Sequence, residues 1–329
     1  MTMKRWFMTI ALAAAWLGGS LAGAAPAAAP LRIVTTFYPL YLATLNIVGQ
    51  APGVEVVNLT RPAAGCLHDY QLTPADLVTL QTADLLVVNG AGLEAFLDKA
   101  LRQAPRVRVI QASAGLPLLN GNPHVWVSPT LAIRQVANIA AGLARYDPAR
   151  AEQYRAQAAR YTAQLQALRD RMRRALQDLP VRDIITMHEA FPYFAQEFGL
   201  RVVAVIEREP GSAPGARALA ETIDTVKRLR VPAVFVEPQY PARAAATIAR
   251  ETGARIGTLD PVVSGPLAPD AYLRIMAGNL AELQRVLKYS HVRAPSSILR
   301  RLLHPADAFR RQAGRRRRAG EHRVACPLR

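Results

Sequence analysis

The sequence predicts an α/β protein of two lobes, each a four-stranded parallel sheet with flanking helices, joined by one long rigid helix. Three observations predict it. Short apolar, β-branched runs alternate with helix-period segments, the pattern of buried parallel strands and crossover helices. The eight runs fall into two sets of four. Between the sets lies a single helix-period segment with no strand in it. A chain of 329 residues is long enough for two such units.

Residues 1–24 read as a secretory signal peptide, with Lys4 and Arg5 before an apolar stretch from Phe7 to Leu17 and small residues at Ala22-Gly23-Ala24. The apolar run is short for a membrane span, and an uncleaved anchor is the alternative. The first cysteine is Cys66, so no cysteine at the cleavage site takes a lipid, and the mature protein is expected to be free in a periplasm. The other cysteine is Cys326, and two distant cysteines do not make a disulfide framework.

The first lobe is expected over 31–145, with strands LRIVTT (31–36), VEVVNL (54–59), DLLVV (84–88) and RVRVIQ (106–111). The linking helix covers 146–179, entered at Asp147-Pro148 as N-cap and first helical residue. Its apolar stripe runs Tyr154, Ala158, Tyr161, Leu165, Leu168, Met172, Ala175, in steps of four and three. A coiled-coil dimerisation helix is the competing reading, but the place between equal halves favours an internal connector. The second lobe, 180–290, carries strands RDIITM (182–187), RVVAVI (201–206), AVFVE (233–237) and ARIGTL (254–259), with helices at 218–230, 241–253 and 271–289. No internal sequence repeat is evident.

The net charge of +17 resembles a nucleic-acid signal until it is divided. Residues 291–329 hold eleven arginines against Asp307 and Glu321, a net +9. Removing that and the +2 of Lys4 and Arg5 leaves the body at +6. The tail reads as a disordered, solvated extension that the fold does without, and no nucleic-acid partner is expected for an exported protein. A tail helix over Ser296–Leu303 docking through Ile298, Leu299 and Leu302 is the rival reading.

The body has three histidines, and each follows a strand: His68 after the second, His124 after the fourth, His188 directly after the fifth. Asp260 directly follows the eighth strand and Glu237 ends the seventh. Loops beyond the C-terminal ends of parallel strands converge on the ligand crevice, so two lobes present these residues to one cleft. Each histidine alone is more often structural, but joint placement at strand ends points to a site. Three imidazoles and a carboxylate suit Zn2+, with Mn2+ also possible. The HExxH motif fails because position 192 is Pro192, and there is no Gly-x-Ser-x-Gly. Cys66, two residues before His68, is either a buried thiol or an auxiliary ligand.

At these residues the chain resembles the zinc/manganese substrate-binding proteins of bacterial ABC importers. The resemblance spans about 31–288 and is carried by TTFYPL (35–40), HDYQLTPAD (68–76), NGAGLEAFLDKAL (89–101), NPHVW (122–126), YDPARAEQY (146–154), MHEAFPYFAQEFGL (187–200), VEPQY (236–240) and LDPV (259–262). It implies metal ligands at His68, His124, His188 and Asp260, with Glu237 beside them, touching a ligand rather than the ion. His188 stands where manganese-selective members have glutamate, which favours zinc. The chain departs from the pattern at AGCLHDY, where a proline commonly precedes the histidine, and at NPH, where DPH is usual. It also lacks the long His- and Asp-rich loop of many zinc-specific members.

The implied function is capture of a divalent metal, zinc first, and delivery to an ABC permease in the inner membrane by a monomer that is not an enzyme. A secreted zinc hydrolase with Glu189 or Glu237 as base is the alternative, and an adhesin role is a third. Four convergent ligands leave less room for substrate than the open position of a catalytic zinc.

Overall fold

The structure is a computed structural model that describes residues 29–60, 67, 70–207 and 214–288. Residues 1–24, read from the sequence as a signal peptide, lie outside the described residues, as do Cys66, His68 and the arginine-rich tail.

Strands β1 (Leu31–Thr35), β2 (Val54–Asn58), β3 (Leu85–Val88) and β4 (Arg108–Gln111) form one parallel sheet in the order β2-β1-β3-β4. Strands β5 (Asp183–Thr186), β6 (Arg201–Val205), β7 (Ala233–Val236) and β8 (Arg255–Thr258) form a second in the order β6-β5-β7-β8. Both sheets therefore run edge, first, third, fourth, a repeat of architecture that the residues do not spell out. The strands β3, LLVV, and β7, AVFV, hold equivalent places and are buried throughout. Burial on both faces asks only for apolar residues, so the two need not match.

Helices α1 (Tyr38–Val48), α2 (Pro74–Gln81), α3 (Asp98–Gln103) and α4 (Pro129–Tyr146) belong to the first sheet. Helices α6 (Pro192–Phe198), α7 (Ala216–Leu229), α8 (Arg243–Thr252) and α9 (Ala271–Leu283) belong to the second, and α5 (Ala151–Leu176) lies between the two sets. Two features of α5 differ from the sequence expectation. Asp147 does not cap it: its carboxylate accepts from Arg150 (3.0 Å) and the Tyr154 hydroxyl (2.7 Å), and a 3-10 turn, Pro148–Arg150, precedes the helix. The buried stripe ends on Leu176 rather than Ala175, because a fourth-residue step from Met172 follows the 3.6-residue period. At about 1.5 Å per residue the 26 residues of α5 span roughly 39 Å.

The main core does not stop at the lobe boundary. One contiguous cluster takes Ile33, Phe37 and Trp126 from the first lobe, Tyr154, Leu165 and Met172 from α5, and Phe191, Phe235 and Met276 from the second. Smaller clusters cover the outer face of each sheet. The two lobes are thus packed on one shared interior with α5 through it. No described helix is long and apolar enough to cross a membrane.

Candidate metal centre

His124 sits where the chain leaves a turn and enters α4. Asn120 and Gly121 both have positive φ, 51° and 74°. The next residues make a 3-10 turn, Val125–Val127, and all three are buried. Ser128 then caps α4, its hydroxyl accepting from the Leu131 amide, with Pro129 at the first helical position. Trp126 anchors the segment: its ring meets Phe37 edge-on at 4.8 Å and its indole N–H donates to the Pro261 carbonyl at 2.7 Å. On this support the imidazole is 2% exposed. Asn122 Oδ1 lies 2.9 Å from both the backbone N and the ring Nδ1 of His124. An amide oxygen only accepts, so Nδ1 carries the proton and the donor lone pair of the ring is on Nε2.

His188 leaves β5 one residue beyond Met187 and is equally buried. Its Nδ1 is 2.6 Å from Glu237 Oε1, at the end of β7. Burial raises the Glu237 carboxyl, the bond from His188 opposes that, and the nearby Asp260 charge adds to it. The opposite atoms, His188 Nε2 and Glu237 Oε2, are buried without a hydrogen-bond partner. An imidazole fixed at Nδ1 by a carboxylate, with an unpartnered Nε2, has the arrangement of a metal-ligating histidine. Its ring centroid is 5.2 Å from that of His124, at 70° between planes.

Asp260 follows β8 and is half-buried. Its peptide is held on both sides by one side chain, with the backbone N donating to Asn279 Oδ1 and the carbonyl accepting from Asn279 Nδ2, each at 2.8 Å. Its Oδ1 accepts from the Val262 amide (2.8 Å) and from Gln239 Nε2 (3.3 Å). Burial raises this carboxyl as well, against the pull of those two bonds. A buried and a half-buried carboxyl held above their ordinary range, beside two buried imidazoles, make a place where a cation relieves unfavourable desolvation.

The described structure therefore brings together His124, His188 and Glu237, with Asp260 close to Glu237. Among the described residues, no three His, Cys, Asp or Glu side chains form a group that holds an ion alone. The fourth residue named from the sequence, His68, lies outside them, as does Cys66. Glu189 is exposed. Sequence reasoning missed Gln239 and Asn279, which hold Asp260, and the partners of Asn122. The one signal for Gln239 is its place two residues past Glu237 in VEPQY; nothing local marks Asn279, which arrives from α9.

Residues 33–286 match the family described as ZnuA, zinc-uptake complex component A, periplasmic. The high-affinity zinc uptake system protein ZnuA of Bacillus subtilis is 32% identical over 252 residues, covering 70% of this chain and 78% of that protein. The iron-binding protein YfeA of Yersinia pestis is 34% identical over 239 residues, covering 69% and 75%. Among solved structures, the SBP FpvC of Pseudomonas aeruginosa in complex with Ni2+ has 35% identity and a TM-score of 0.73, over 80% of this chain and 99% of that one. A ZnuA crystal structure has 30% identity and a TM-score of 0.70, over 78% and 99%. The two four-stranded parallel sheets agree with this match, and the chain belongs to the periplasmic zinc-uptake component A family.

Proposed function

We propose that the protein captures one Zn2+ ion between its lobes with His68, His124, His188 and Asp260, and delivers it to an ABC permease in the inner membrane. The family is a metal-binding transport component and not an enzyme, which sets aside the zinc hydrolase. The observation that carries the ligand assignment is His188: Nδ1 is held by Glu237, and Nε2 is buried with no partner. Leaving such an atom unsatisfied costs about 1–3 kcal/mol, and an ion at Nε2 removes that cost. Nε2 is likewise the donor atom of His124, and Asp260 supplies a carboxylate oxygen. Glu237 acts through His188: its negative charge strengthens the imidazole as a donor and fixes the ring.

Three imidazole nitrogens and one carboxylate oxygen fit tetrahedral zinc better than a larger, oxygen-preferring ion. Relatives named for zinc and for iron, and structures containing Ni2+ or Mn2+, make the order of preference the point to measure. The protein acts in the periplasm, and as a monomer. Calorimetric titration of the metal-free protein with Zn2+ and with Mn2+ tests the reading. One Zn2+ per chain is expected, bound more tightly than Mn2+, with His188→Ala weakening zinc at least a hundredfold. An unchanged zinc affinity in that variant would remove His188 from the site.

A further inference from the structure

We infer that Asn122 is a positioning residue that sets the spacing between His124 and His188 with one amide group; this rests on the reading of those histidines as ligands. Asn122 Oδ1 faces the His124 backbone N–H and ring Nδ1, both at 2.9 Å. Its Nδ2 donates at 2.8 Å to the carbonyl of Glu189, the residue after His188 and on the opposite lobe. The amide has only one workable orientation. A backbone N–H only donates and a backbone C=O only accepts, so turning the group over would set donor against donor and acceptor against acceptor. The same reasoning separates asparagine from the aspartate usual in this motif. A carboxylate serves His124 at least as well, but it has no hydrogen to give the Glu189 carbonyl.

The contact is one of a row across the seam. The Tyr193 hydroxyl donates to the Asn122 carbonyl at 2.6 Å and accepts from the Leu119 amide at 2.9 Å. One turn further on, the Glu197 carboxylate accepts from the Ser128 hydroxyl and from the Thr130 hydroxyl, the latter at 2.6 Å. Glu189, Tyr193 and Glu197 are four residues apart and lie along α6 and its approach, so the segment carrying His124 is stitched to the segment carrying His188. The Asn122 bond joins the two beside the ligands themselves, where the two imidazole rings also meet. A fixed separation between two donor atoms favours one metal–ligand distance over others, so this amide contributes to selection among ions as well as to affinity.

The test is competition of Zn2+ and Mn2+ against a chelating dye, using full-length protein and the variants Asn122→Asp, Asn122→Ala and Tyr193→Phe. Nitrogen-15 spectra of the imidazoles report the His124 tautomer. Asn122→Asp keeps the acceptor for Nδ1 and loses only the bridge. The expected result is an unchanged tautomer with a zinc-to-manganese affinity ratio about tenfold lower, the scale of outer-shell substitutions. Asn122→Ala loses both functions, and zinc affinity falls by about 10–100-fold. Tyr193→Phe loosens the same seam and shifts the ratio in the same direction as Asn122→Asp. A ratio within twofold of wild type in both Asn122→Asp and Tyr193→Phe overturns the inference and leaves the ligand assignment standing. Absence of saturable zinc binding by the wild type overturns both.

Discussion

Glu237 and Asp260 make the site sensitive to pH in a definite direction. Burial raises both carboxyls above their ordinary values of about 4. A raised carboxyl favours the folded chain below its unfolded pKa, and that contribution is lost as pH climbs through the folded value. In the metal-free protein the two groups therefore oppose folding at neutral pH, and a bound cation reverses this. A carboxylate binds a cation only when ionised, so acid opposes metal binding through these two groups. The rise in melting temperature produced by Zn2+ is expected to be largest near pH 7.5 and to shrink by more than half at pH 5.5. An equal rise at both values would point to a site that does not depend on these groups. At this scale the proximity of His124, His188, Glu237 and Asp260 was legible because histidines and acids in the loops after strands stand out in a chain with few histidines. The amides that orient them were not. Asn122, Gln239 and Asn279 are uncharged and common, and their roles appear only once distant segments meet.

The loop after β3 shows how an element supports the site without touching the ion. Asn89 to Glu94, NGAGLE, turns through positive φ at Gly90, Ala91 and Gly92, and Glu94 closes it. The Glu94 carboxylate accepts from the amides of Asn89 (2.6 Å) and Gly90 (2.9 Å) and from the Thr36 hydroxyl (2.8 Å). Asn89 Nδ2 then donates to the Pro123 carbonyl at 3.0 Å, holding the peptide just before His124. Removing Glu94 strands two amides and a hydroxyl in a buried setting. Glu94→Ala is expected to lower stability by about 3 kcal/mol in urea denaturation of the metal-free protein. A loss below about 0.5 kcal/mol would mean that solvent satisfies these groups and the loop is not built on Glu94. All eight strands were legible from their apolar runs, and α5 from its stripe. The start of α5 was not, because Asp147-Pro148 reads as a cap by sequence, whereas the Asp147 carboxylate is taken by Arg150 and Tyr154.

For the whole molecule, the shared interior is the dominant fact. Tyr38 donates to the Pro266 carbonyl, Asn46 to that of Pro269, and Tyr272 to that of Trp126, each bond crossing between lobes at 2.7–2.8 Å. Lobes joined by side-chain bonds and one apolar core do not swing apart as bodies, so capture proceeds by local adjustment at the strand-end loops. Small-angle scattering with and without Zn2+ is expected to give radii of gyration equal to within about 1 Å, whereas a hinge closure of the kind seen in two-domain binders would exceed that. Two sets of four strands were legible at this scale; the common core was not, because apolar stripes do not declare which lobe they face. What binds the ion is decided by X-ray absorption at the zinc edge of the protein loaded with one equivalent. Three imidazole nitrogens and one oxygen at about 2.0–2.1 Å are expected, with the scattering signature of histidine rings. Fewer than two imidazoles, or a sulfur neighbour at about 2.3 Å that would bring in Cys66, would contradict this ligand set.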